Sequence, residues 1–256
     1  MKVSIRTNHY ENADMPNLKG FATLTFDDKY VLESVKILEN KEKGELFVAL
    51  PTIKVNPDKN GGNEYKEFFH PITERGRKGM NDAILKQFND ASLANNTTKE
   101  YDIGDKMSFR PSATEKNFFD YTKDNIVGIG SVKFGNDYVL ENVQIKTKND
   151  GNGVYIDTPN RKKGDDFVPY FHPITTEAAA DLKEVCVNAF ESYKAEKEKS
   201  YDWGEGVVVE RTENNAAAAE KTATTPAMDN MMSDFEDIDA SEFEDLDLTA
   251  SNGLSR

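Results

Sequence analysis

The chain has 256 residues, 37% of them hydrophobic and 30% charged, with a formal net charge of −14. That length holds about two domains, a single cysteine excludes an intrachain disulfide framework and fits a reducing compartment, and no apolar run is long enough to span a bilayer. The charge is uneven: from Thr212 onward eleven acids face only Lys221 and Arg256, a balance of −9, so the first 211 residues carry −5 and lack the basic excess of a nonspecific nucleic-acid clamp.

The opening MKVSIRTNHY has no apolar segment of the secretory kind, so a cytoplasmic protein is expected. Residues 3–6 (VSIR) read as a first strand. Residues 20–37 (GFATLTFDDKYVLESVKI) alternate with period two on either side of Asp27-Asp28, a pair that tolerates the positive φ of a hairpin turn. A third strand, LFVALP, ends at Pro51, and a polar loop with Asn60-Gly61-Gly62 follows. An aromatic strand leads into FFHPIT, and Thr73 caps an amphipathic helix whose stripe is Met80, Ala83, Ile84, Gln87, Phe88 and Ala91.

The chain then repeats itself. Residues 128–145 (GIGSVKFGNDYVLENVQI) match residues 20–37 at an offset of 108, and Pro159 keeps that offset to Pro51. YFHPIT (170–175) matches FFHPIT at an offset of 102, and a second stripe of Leu182, Val185, Cys186, Ala189, Phe190 and Tyr193 follows. MSFR (107–110) precedes the second copy as VSIR opens the first, and a loop with Lys163-Gly164-Asp165 follows its third strand. A period of about a hundred residues is domain-sized rather than a solenoid repeat. The expected class is therefore α+β: two tandem small domains, each an antiparallel sheet with one packed helix. Their bounds are 1–95 and 107–211, with a linker at 96–106 and an extra C-terminal strand (VVVER) at 207–211.

Residues 212–256 form a flexible linker and an acidic tail, expected to be disordered when free. Its spaced Phe235, Ile238, Phe243 and Leu246 are more than solubility requires and point to a protein-docking peptide, the alternative being a solubilising brush.

The run TFDDKYVLESVKI…GELFVALP…FFHPIT resembles the SpoVG family (stage V sporulation protein G, septation protein SpoVG), over residues 3–91 and more faintly over 107–193. The resemblance implies nucleic-acid binding linked to developmental gene control or septation, pairing through the sheets, and no enzyme activity. It also implies a basic segment after the third strand. The second copy keeps one at Asn160-Arg161-Lys162-Lys163, whereas the first has only Lys54; the first instead has Arg75, Arg77 and Lys78 at its helix start, where the second has alanines with Lys183 beyond. If the copies pair as a pseudo-dimer, these eight cations offer one composite site, further homo-oligomerisation remaining open.

His70 and His172 each precede a proline without a second ligand at metal spacing, and read as structural. Gly128-x-Gly130 lies in a strand, without the rest of a dinucleotide fingerprint, and no nucleophile triad stands out. No cofactor or metal is expected. Two readings remain: a protein that binds DNA or RNA, single strands favoured, with Tyr65, Phe167 and Tyr170 available to stack on bases; or a protein-interaction scaffold without nucleic-acid affinity.

Overall fold

Alternating apolar residues over 18–39 build a twisted hairpin, and everything else in the first half is added to it. In the computed structural model, which describes residues 1–55, 64–104, 107–123 and 125–202, the first half comprises β1 (Lys2–His9), β2 (Leu18–Phe26), β3 (Tyr30–Glu39) and β4 (Leu46–Ala49). A short hairpin of β5 (Thr52–Val55) and β6 (Glu64–Glu67) follows, then β7 (Phe69–Pro71), helix α1 (Glu74–Phe88) and β8 (Thr98–Asp102). The second half comprises β9 (Pro111–Ser112), a 3-10 turn (Glu115–Asn117), β10 (Phe118–Lys123), β11 (Ile126–Phe134), β12 (Tyr138–Thr147) and β13 (Val154–Asp157). It continues through a hairpin of β14 (Asn160–Lys163) and β15 (Asp166–Pro169), then β16 (Phe171–Pro173) and helix α2 (Thr176–Asp202). The protein is α+β with antiparallel sheets. The expected strand at 207–211, the loop at 60–62 and the tail with Phe235, Ile238, Phe243 and Leu246 lie outside the described residues.

The two large sheets trade strands. In the first, β8, β1, β2 and β3 are neighbours in that order; the free side of β3 takes β4 along Lys36–Glu39 and β16 along Tyr30–Leu32. In the second, β12 takes β13 along Gln144–Thr147 and β7 along Tyr138–Leu140. The HPIT strand of each half thus completes the sheet of the other.

A bulge prepares each docking place. Glu33-Ser34 oppose Thr23 alone, with Ser34 at φ 62°, and Glu141-Asn142 oppose Ser131 alone, with Asn142 at φ 57°. A bulge frees a backbone N–H from the ladder. Glu33 N donates to Tyr170 O (2.8 Å) and Glu141 N to Phe68 O (2.6 Å), so the incoming arm satisfies the group the bulge released.

Two expectations need correcting. MSFR is not a strand: the ladder pairs Phe134 with Pro111 as it pairs Phe26 with Val3, so PSAT, not MSFR, stands in the place of VSIR. Three extra residues, the 3-10 turn, then split the edge strand of the second half into β9 and β10. Phe109 of MSFR turns inward instead, stacking on Phe26 (4.2 Å between centroids, 4° between planes) and on Phe134 (4.6 Å). The segment read as a linker also contains β8, which pairs with β1 from Lys2↔Asp102 to Arg6↔Thr98.

The core is one cluster drawn from both halves: Phe26, Tyr30, Phe69, Phe109, Phe134, Tyr138 and Phe171 are all buried in it. Helix α1 lays Met80, Ala83, Ile84, Gln87 and Phe88 against it, and Ala91 falls beyond the helix end. Thr73 caps α1 by accepting from Gly76 N (3.1 Å), and Thr175 accepts from Ala178 N (3.1 Å) at the start of α2. Gly79 is required by packing, since a Cβ there would lie 2.3 Å from the Ile103 carbonyl oxygen.

Candidate nucleic-acid interface

Val3, Ile5 and Thr7 of β1 face the core, which turns Arg6 and Asn8 to the opposite face of the first sheet. The β14–β15 hairpin of the second half comes over that face. The segment expected as a basic loop is thus a strand: Gly164, at φ +62°, makes the tight turn, and Asn160↔Pro169 to Lys163↔Asp166 pair across it. Hairpin and sheet enclose a cleft of about 200 Å³ whose lining includes Arg6, Asn8, Phe21, Glu33, Ser34, Arg161 and Lys163.

Arg161 is anchored. Its Nη2 donates to Glu33 Oε2 (3.3 Å), its guanidinium lies 5.5 Å from the Tyr170 ring centroid, and its Nε is buried without a hydrogen-bond partner. Ser34 Oγ is likewise buried and unpartnered. Arg6 and Lys163 are exposed and have no carboxylate partner among the described residues. Three cations against one carboxylate, with Arg161 Nε and Ser34 Oγ unsatisfied in residues of the same lining, suit an anion of phosphate size. Sequence reasoning missed Arg6, because its alternation only shows it facing away from the core; which partner comes over that face is a matter of strand exchange.

The other sequence candidates are placed elsewhere. Arg75 binds Asp137 with both nitrogens, Nε to Oδ1 (2.6 Å) and Nη2 to Oδ2 (2.9 Å), and Thr73 Oγ1 donates to the same Oδ1 (2.6 Å). Asp137 is 1% exposed, and the Arg75 hydrogen bond holds its carboxyl below the usual carboxylate range, with burial opposing and Thr73 assisting. Arg77 faces Glu67 (3.7 Å) and Lys78 pairs with Asp82 one turn on. Lys54, Lys162 and Lys183 are exposed, on β5, β14 and α2. Arg75, Arg77 and Lys78 are thus each paired with a carboxylate of their own, whereas Arg161 is paired with Glu33. Of the stacking candidates, Phe167 is 70% exposed on β15, Tyr65 is half-buried, and Tyr170 lies beneath Arg161.

His70 and His172 sit in the exchanged strands, opposite Val139 and Val31. Among the described residues no group of three or more His, Cys, Asp or Glu could hold a metal, and no helix is long and apolar enough to cross a membrane.

These features define a class: a small α+β protein whose two sheets each borrow a strand, with a cationic cleft where a borrowed arm crosses a sheet. The sequence profile of the SpoVG family matches residues 1–90. The relatives agree: septation protein SpoVG of Acholeplasma laidlawii is 36% identical over 89 residues, 34% of this chain and 85% of that protein. That of Treponema denticola is 36% identical over 72 residues, 28% of this chain and 70% of its own length. The SpoVG protein of Finegoldia magna is 34% identical over 73 residues, 28% of this chain, and there the match spans 61% of the relative. The chain belongs to the SpoVG family of septation proteins. No solved structure matches it.

Proposed function

We propose that the protein is a non-enzymatic, cytoplasmic nucleic-acid-binding member of the family, a tandem duplication of the SpoVG domain that takes single-stranded DNA or RNA in the cleft between β1–β3 and the β14–β15 hairpin, in a regulatory or replication-accessory role. The observation that carries this is the cluster of Arg6, Arg161 and Lys163 together with the unpartnered Ser34 Oγ. Phosphates approach along the cleft, and the exposed Phe167 of β15, opposite Lys162, offers a face to a base. Arg75 contributes nothing to this site, because Asp137 already neutralises it.

Fluorescence anisotropy with labelled single strands and duplex, across a salt series, tests the reading. Arg6→Glu and Lys163→Glu are expected to weaken single-strand binding, each lost contact reducing the salt slope by roughly 0.7. Arg75→Gln is expected to leave that slope unchanged. Absence of salt-dependent binding in the parent protein would favour the scaffold reading, in which the acidic tail and the sheets recruit other proteins. The tail is assigned to partner docking through Phe235, Ile238, Phe243 and Leu246. Changing those four to Ser tests that role by pull-down, with strand affinity expected to stay constant.

A further inference from the structure

The contacts that lock the exchanged strands repeat themselves, except in charge. Tyr138 Oη donates to Gly76 O (3.2 Å) and Tyr30 Oη to Ala178 O (3.1 Å). Ile72 N donates to Asp137 O (2.8 Å) and Ile174 N to Lys29 O (2.8 Å). In each case the first turn of one half's helix seats on the hairpin turn of the other half. By the internal repeat Arg75 stands where Glu177 stands, and Asp137 where Lys29 stands. Arg75 pairs with Asp137, and Lys29 Nζ pairs with Glu177 Oε1 (3.1 Å). The cation lies on the helix in one clasp and on the turn in the other.

We infer that this charge reversal makes the two halves obligate partners of each other and bars pairing of like halves. Two first halves, from two copies of the chain, would bring Arg75 of each against Lys29 of the other. Two second halves would bring Glu177 against the buried carboxylate of Asp137. Like charges at such a junction reject a wrong partner more effectively than the right pair adds affinity. The exposed clasp of Lys29 and Glu177 is screened by solvent, so most of the discrimination rests on Asp137. A chain that exchanges equivalent strands between two halves needs such a rule, because the backbone registers alone do not distinguish them.

Two variants of the full chain imitate the forbidden pairs. Asp137→Lys with Glu177→Arg gives the second half the charges of the first; Lys29→Asp with Arg75→Glu gives the first half those of the second. Each alone is expected to melt several degrees below the parent and to refold poorly as a monomer. The four changes together exchange the clasps and restore opposite charges, and that chain is expected to recover much of the loss in melting temperature and to refold as a monomer. Denatured, mixed and refolded, the two double variants are complementary between chains and should yield a 1:1 exchanged dimer by size exclusion with light scattering. Glu177→Arg alone, at the exposed clasp, supplies a milder reading should a double variant fail to fold: its melting temperature should fall and recover when Lys29→Asp is added. Double variants that behave as the parent, a quadruple variant as unstable as the doubles, or a mixture equal to the sum of its parts would each overturn the inference.

Discussion

Two buried groups, Cys186 and Asp137, offer the sharpest single-residue tests. Cys186 lies on the apolar stripe of α2 and is fully buried, and burial pushes its thiol up to about 12. It is therefore expected to resist a thiol-specific reagent in the native protein and to react fully on unfolding, a contrast that absorbance titration measures. Asp137 carried no sequence signal, being one polar residue in a turn; only the exchange of strands brings Arg75 and Thr73 to it. Its depressed carboxyl has a definite consequence. The stabilisation is fully present above the unfolded value of about 4 and is lost as pH falls through the lower folded value. Asp137→Asn should lower the melting temperature at neutral pH by a few degrees, and the gap should close on acidification, as thermal melts across the acid range will show.

At the element scale, strands and helices with strong periodicity were legible: β2, β3, β11, β12 and both helix stripes fall where alternation and the i, i+3, i+4 pattern put them. The elements that sequence could not reveal owe their conformation to a partner. NRKK has little intrinsic strand preference and becomes β14 because β15 pairs with it through the turn at Gly164. TKEYD, inside the presumed linker, becomes β8 because β1 offers a free edge. Helix α1 shows a tighter constraint. Replacing Gly79 by Ala forces a methyl against the Ile103 carbonyl, and such overpacking costs about 1–3 kcal/mol. Urea unfolding should show that loss as a lower midpoint with an unchanged slope, whereas a surface substitution on the same helix, at Lys86, should be near neutral.

For the whole molecule, the internal repeat gave the number of halves and the resemblance to a family that pairs through its sheets gave the expectation that they pack together, but not the manner, since FFHPIT and YFHPIT are nearly the same segment and neither names its sheet. The candidate site followed the same course: Arg161 and Lys163 were visible as a basic run, while the sheet face that completes their cleft was not. Phe109 stands at the centre of the shared core, touching rings from both halves. Phe109→Ala is expected to cost about 3–5 kcal/mol. The loss should appear in one cooperative transition, with the same midpoint by far-UV circular dichroism and by tyrosine fluorescence, because neither sheet has a core of its own to retain.

Strand exchange also sets an order of events during synthesis. The edge of β3 is made early, yet the strand that covers Tyr30–Leu32 arrives only with Phe171–Pro173. At ribosomal rates of about 5–20 residues per second, that edge stays open for on the order of ten seconds. Over this interval the nascent first half offers an uncovered strand and a bulge with an unsatisfied N–H to any neighbouring chain. On a crowded polysome the most abundant neighbour is another nascent first half, and the Arg75–Lys29 repulsion meets it before the second half exists.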